Sequence, residues 1–243
     1  HQAETSSDAD YFYNRLASGL RYQPDLDLQI TAKYAYDINK YKTYAVNGYK
    51  QHKVSLDYNH SLGFMTRWWL QDEYRMKRYT ENTQRNYDAN SFFLDFQHYF
   101  SSEFSVKFQG DGDYTKYSRP QGYYNNSFQA NSKAGAGVNL ISSVTFFVSY
   151  GYETLTNYDP DSEDGIEQEQ QNYFENSVTP EISILTGGMI VNISYKFGRK
   201  KFYRGESEFY PDADISTVSA TTSFNILERA LVLDIFANYS VTK

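Results

Sequence analysis

Between Phe92 and Tyr114 the chain alternates between apolar and polar positions. Phe92, Leu94, Phe96, His98 and Phe100 share one parity, and Phe93, Asp95, Gln97 and Tyr99 the other. After Ser101-Ser102-Glu103 the pattern resumes, with Phe104, Val106, Phe108, Gly110 and Gly112 facing one way and Ser105, Lys107, Gln109, Asp111 and Asp113 the other. Period-two alternation on both sides of a short break predicts an antiparallel hairpin. Its arms match the roughly 9–11 residues that a tilted strand needs to cross a bilayer.

The same unit recurs along the chain. A polar tail, residues 1–12, precedes one β domain over residues 13–243. Strand one is predicted over Tyr13–Tyr22, and Pro24-Asp25-Leu26-Asp27 turns the chain. Strand two starts at Leu28 and runs toward Asn47-Gly48, a dipeptide suited to tight turns. Strand three carries Val54, Leu56, Tyr58 and Leu62. After Gly63, strand four sets Trp68, Leu70, Tyr74 and Met76 against Arg67, Trp69, Gln71, Glu73, Arg75 and Lys77, with Asp72 interrupting its apolar side. Later pairs turn at Ile141-Ser142-Ser143, at Gly187-Gly188 and at Leu227-Glu228-Arg229. Strand nine contains Pro180, which suits a strand end better than the middle of a ladder. The total is about twelve strands, with short turns alternating with long polar connections; the longest connection, Asn157–Gln170, is acidic, and a basic one spans Arg199–Arg204.

Composition narrows the class. There are 25 Tyr and 17 Phe, and no Cys, so neither a disulfide frame nor thiol chemistry is available. Mean hydropathy is negative. That fits a membrane protein only if alternate residues face lipid and the others face water, as in a β-barrel. A soluble sandwich would leave the outward aromatics as a large exposed apolar surface. No apolar run is long enough for a transmembrane helix. The net charge of -7 and the lack of a basic stripe exclude a nucleic-acid partner. The chain opens without a charged-then-apolar leader, the pattern expected once a signal peptide has been removed.

Tyrosines gather toward the long-loop ends (Tyr34, Tyr36, Tyr74, Tyr114, Tyr150, Tyr152, Tyr195, Tyr239), while Trp68, Phe100, Phe104 and Phe146 lie near the short turns. These are the places of two aromatic girdles. With its hairpin pattern, the stretch 13–241 resembles the small outer-membrane β-barrel porins and channels of Gram-negative bacteria. In size and short-turn pattern it is similar to the oligogalacturonate-type monomeric porins. The resemblance implies an all-β, transmembrane, antiparallel up-and-down barrel of about twelve strands in the bacterial outer membrane, surrounded by its lipids.

Two features depart from that pattern. Short turns follow the odd strands, so both termini fall on the long-loop side, whereas such barrels keep both in the periplasm. The chain also ends Tyr239-Ser240-Val241-Thr242-Lys243 without a terminal aromatic. Both departures are those expected if a terminal strand is missing from this chain, and they leave the orientation open.

By parity, the inward positions carry the candidate chemistry. Arg67, Trp69, Glu73, Arg75, Lys77, Asp95, Lys107, Asp111, Asp113 and Lys133 are expected to line a pore. Rows of opposite charge could hold a field across a channel and set its selectivity, or could pair and fill the lumen. Arg67, Arg75 and Lys77 form the cationic wall expected to attract an anionic solute, and Trp69 either stacks on a sugar ring or packs. Gly110/Gly112 and Gly135/Gly137 predict tight curvature or close approach of a group inside the barrel.

No catalytic, metal or cofactor set stands out. His60 and His98 lie on apolar faces beside Ser61 and Ser101, but adjacent residues in a strand face opposite ways, which weakens a hydrolase triad. Asp159, Asp161, Glu163 and Asp164 only loosely match a calcium loop, and a solvated acidic loop explains them better. The expectation is therefore a non-enzymatic channel for passive passage of small hydrophilic solutes, saccharides among them. The alternative is a scaffold barrel with a filled lumen, whose long loops bind a protein partner in an envelope secretion or export complex.

Overall fold

The computed structural model describes residues 11–41, 47–119, 126–158, 172–203, 212–226 and 231–242. The expected tail up to residue 10, the acidic loop at 159–171, the basic loop from Arg204 and the turn at 227–230 lie outside the described residues.

Twelve strands follow in sequence: β1 (Tyr11–Tyr22), β2 (Leu28–Tyr41), β3 (Tyr49–Leu62), β4 (Thr66–Tyr79), β5 (Tyr87–Tyr99) and β6 (Phe104–Tyr117), then β7 (Asn126–Ile141), β8 (Val144–Tyr158), β9 (Tyr173–Thr186), β10 (Met189–Phe202), β11 (Ala213–Ile226) and β12 (Leu231–Thr242). They form one sheet in chain order, each strand antiparallel to the next. The sheet is the up-and-down arrangement that the alternation predicts. β1 starts two residues before the expected Tyr13, so Tyr11 and Phe12 belong to the strand and not to the tail. Gly63, Gly187 and Gly188 take positive φ (60°, 54° and 82°), which is why glycine occupies these short turns. β1 and β12 are not paired with one another, and both outermost strand ends lie on the long-loop side.

Burial is inverted relative to a soluble domain. Among the described residues the only fully buried apolar side chains are Ala35 and Ala89, while Leu16, Leu56, Leu70, Phe92, Ile182, Phe197 and Ile235 are exposed. These residues share the apolar face, and such an extended apolar surface demands a nonaqueous neighbour. The polar face is concave. Gln97 on β5 and Glu181 on β9 line one cavity of about 420 Å³. On a flat sheet, four strand spacings would hold those strands roughly 19 Å apart.

Pro180 departs from expectation, because it sits in the middle of β9 between two neighbours. Its pairing with β8 continues opposite Val148, but toward β10 the ladder skips from Ser194↔Glu181 to Phe197↔Val178. A residue without an N–H leaves its gap on the side where the donor is missing.

The strand glycines also divide. A Cβ at Gly137 would stand 2.7 Å from the Phe147 ring, and one at Gly135 2.6 Å from it, so this pair does admit a group inside the concave face. Gly110 and Gly112 belong to the apolar side instead. A Cβ at Gly112 would overlap Phe92, which covers this site from outside. The expectation of an internal visitor is thus corrected for Gly110 and Gly112.

Candidate functional site

All ten side chains expected to line a pore project from the face opposite the apolar band, because they share the odd parity of Ser91 and Gln109 in register. They do not form one cluster. Glu73 on β4 takes Lys53 Nζ of β3 at 2.5 Å and Arg75 Nε at 3.1 Å. Arg75 Nη2 donates to Ser91 Oγ on β5 at 3.2 Å, and Ser91 in turn donates to Asp113 on β6. One polar chain therefore runs across four strands, perpendicular to the chain direction. Each partner sits where period-two geometry and the antiparallel register bring alternate side chains side by side.

A second group forms nearer the short turns. Asp95 accepts from Gln109 Nε2 at 2.6 Å and pairs with Lys107 Nζ at 3.4 Å. A third lies between β6 and β10, where Asp111 and Lys133 line a cavity of about 310 Å³ with Glu153 and Lys196. Lys196 pairs there with Glu175 at 2.5 Å. Trp69 is held as packing, edge-on to Phe93 with centroids 4.9 Å apart and with Nε1 donating to Asp57 at 3.3 Å. Arg67 is exposed and opposite Gln97, away from the other cations of its strand. A further cavity of about 700 Å³ is lined by β1 to β5, with Arg15, Lys33, Lys53, Asp57 and Glu73 on its wall.

Lys77 belongs to a different device. Its Nζ lies 3.8 Å from the centre of the Tyr49 ring and 5.1 Å from that of Tyr79. Tyr49 and Tyr79 are opposite in register, as are Tyr87 and Tyr117, and Tyr173 and Phe202. Their ring centres are 6.0, 5.6 and 6.0 Å apart. Lys200 Nζ stands 3.4 Å over Tyr173. Three short-turn hairpins thus end, at their open side, in an aromatic pair on the concave face. Sequence reasoning assigned a different set of tyrosines to an outward girdle and missed this collar, none of whose aromatic members it named. Carrying each strand's polar-face parity, odd up to β9 and even on β10, through to its loop-side end was the available signal.

No protein-family model and no curated protein matches the chain. Solved structures do, at low identity. The siderophore receptor PirA from Pseudomonas aeruginosa matches with a TM-score of 0.53 at 12% identity, over 97% of this chain and 53% of that one. OccAB4 of Acinetobacter baumannii gives 0.53 at 11% identity, over 95% of this chain and 61% of its own. OmpT, an outer membrane protein of Vibrio cholerae, gives 0.50 at 11% identity over 99% and 89%. The chain therefore spans less than two thirds of the first two. Its fold is that of the bacterial outer-membrane β-barrels.

In an outer-membrane barrel the convex face meets lipid, and the remaining aromatics take their places accordingly. Near the short turns Trp68 and Phe96 have ring centres 4.3 Å apart, His98 and Phe100 4.5 Å, and Phe100 and Phe104 5.4 Å. The histidines of this face bond to hydroxyls: His52 Nδ1 with Tyr34, His60 Nδ1 with Tyr58 and His98 Nδ1 with Thr66, at 2.8, 2.8 and 2.7 Å. Ser101 Oγ instead accepts the backbone N–H groups of Glu103 and Phe104. Among the described residues neither His60 nor His98 hydrogen-bonds a serine.

Proposed function

We propose that the chain acts in the outer membrane as a passive channel for small hydrophilic solutes. The observation that carries this reading is the concave face itself, where ionic side chains from several strands border cavities of about 310, 420 and 700 Å³. Lining charge sets selectivity in such a pore. Lys53, Arg75 and Lys77 concentrate positive charge on β3 and β4, whereas Asp111, Asp113, Glu153 and Glu175 concentrate negative charge from β6 to β9. The two columns set a transverse field for a polar solute. Saccharides are the favoured class because the collar places partly exposed aromatic rings at the mouth, two of them with a Lys ammonium over one face, and pyranose rings stack on aromatic faces left open.

A scaffold barrel that binds an envelope partner is the second reading. The unpaired outer edges of β1 and β12 favour it, since a free strand edge is a template for a strand from another chain.

Single-channel recording in a planar bilayer tests both. The channel reading expects steady conductance whose ion selectivity moves toward cations when Arg75→Gln and Lys77→Gln are combined. A folded barrel that stays silent overturns it and leaves the scaffold.

A further inference from the structure

The cavity of about 420 Å³ on the concave face carries two opposite charges without partners. Its charged wall residues are Lys107, Lys133 and Glu181. Lys107 is taken by Asp95 at 3.4 Å. Lys133 on β7 and Glu181 on β9 are half-buried. Among the described residues neither makes a hydrogen bond or a salt bridge, to the other or to a third group. The amides around them are engaged elsewhere: Gln97 donates to Tyr99 at 2.7 Å, Gln109 to Asp95 at 2.6 Å and Asn139 to the Ser102 carbonyl at 2.6 Å. A half-buried charge loses part of its hydration and gains nothing in exchange until a partner arrives.

An aromatic ring borders the same cavity. Phe147 on β8 stands opposite Gly137 of β7 and Glu181 of β9 in register, and Lys133 follows on β7 beyond Gly135. A Cβ at Gly135 would meet Phe147 Cε1 at 2.6 Å, and one at Gly137 would meet Cδ2, on the other side of the ring, at 2.7 Å. The ring therefore bridges the two glycines low over β7, and its outer side borders the cavity. No second ring contacts it among the described residues. An open aromatic face carries the negative part of the ring quadrupole and attracts cations. Glu181 beside it adds a full negative charge, so this side is suited to a cation and the Lys133 side to an anion. The two free charges sum to zero.

We propose that this cavity binds a small zwitterion, with its ammonium over Phe147 beside Glu181 and its carboxylate on Lys133. The volume, about 420 Å³, admits a molecule of amino-acid or betaine size together with water. A simple anion or cation would meet a like charge as well as its partner, so the site discriminates against both. The aromatic collar is separate, because it lies at the long-loop ends of the strands, whereas Tyr99, Ser105, Asn139 and Thr145 place this cavity near the short turns. The proposal goes beyond passage of solutes and is tested without a current, so a silent barrel leaves it standing.

The test uses the full chain in nonionic detergent, with glycine betaine, L-alanine, tetramethylammonium and acetate as probes and saturation-transfer NMR as the readout. Both zwitterions are expected to bind saturably, about tenfold more tightly than tetramethylammonium or acetate. Tighter binding of betaine assigns the ammonium chiefly to the ring face, and tighter binding of alanine assigns it to N–H bonds with Glu181. Lys133→Gln and Glu181→Gln each weaken both zwitterions about tenfold, and Phe147→Leu weakens betaine about threefold. Arg21→Gln, on β1 outside the cavity, leaves both affinities unchanged. Heat-modifiable gel migration verifies folding of every variant. Should the substituted barrels misfold, the native chain's preference for zwitterions over their separate halves decides alone. A native chain that binds neither zwitterion, or holds tetramethylammonium or acetate as tightly, overturns the proposal. So does an affinity that survives both glutamine changes.

Discussion

On the apolar face, Asn90 donates from Nδ2 to Asp72 Oδ1 at 2.9 Å. Asp72 lies midway along β4, between Leu56 and Phe92 in register, beside a cleft of about 510 Å³ whose wall includes Leu70 and Leu94. The hydrogen bond satisfies the amide but leaves a carboxylate in the band that faces lipid. Charged groups at that depth are destabilising, acids less so than bases. Replacing the pair together, Asp72→Leu with Asn90→Leu, is expected to stabilise the barrel by on the order of 1 kcal/mol in urea unfolding from vesicles. A lower midpoint would show that the pair faces a polar partner.

Gly137 and Gly135 make contrasting predictions. The contacts awaiting a Cβ at Gly137 are side chains, Phe147 at 2.7 Å and Ser105 at 3.3 Å, whereas at Gly135 the Val148 carbonyl also stands at 2.6 Å. Gly137→Ala should cost about 1–3 kcal/mol and regain most of it when combined with Phe147→Ala. Gly135→Ala should remain destabilised in the same background, because a backbone oxygen cannot step aside. Equal rescue at both sites would contradict the seating of Phe147.

Replacing Pro180 by Val restores an N–H in the gap between β9 and β10. One ladder hydrogen bond contributes roughly 0.5–1.5 kcal/mol. Slower amide exchange is expected for Tyr195 and Lys196, the β10 residues the ladder now skips. Unchanged exchange there would mean that the gap has another origin.

Glu73 is the acid shared by Lys53 and Arg75. All three side chains are about a third exposed or less, so water screens their attraction only in part. Glu73→Gln should change stability by less than about 1 kcal/mol. It frees two cations on the concave wall, so the reversal potential in a salt gradient should move toward anion selectivity. A shift toward cations would place this triad away from the conducting path.

Reading alternate residues identified the apolar and polar sides of most strands, a total of about twelve and the short-turn pattern. The misplacements have specific causes. Pro180 counted against strand nine because the sequence does not reveal which side of a strand needs a donor. Gly110 and Gly112 were assigned an internal visitor because parity names a face but not the ring that covers it.

Side chains in a strand point to opposite faces with period two, so the chain's own alternation determined which residues meet lipid and which do not, before any contact is known. The tertiary structure alone decided the register. That brings Arg75 to Ser91 and Ser91 to Asp113, sets Tyr49 against Tyr79, and leaves Lys50 facing Arg78. Register depends on the stagger of neighbouring strands, a sum of turn geometry and cross-strand packing that no single stretch of sequence contains.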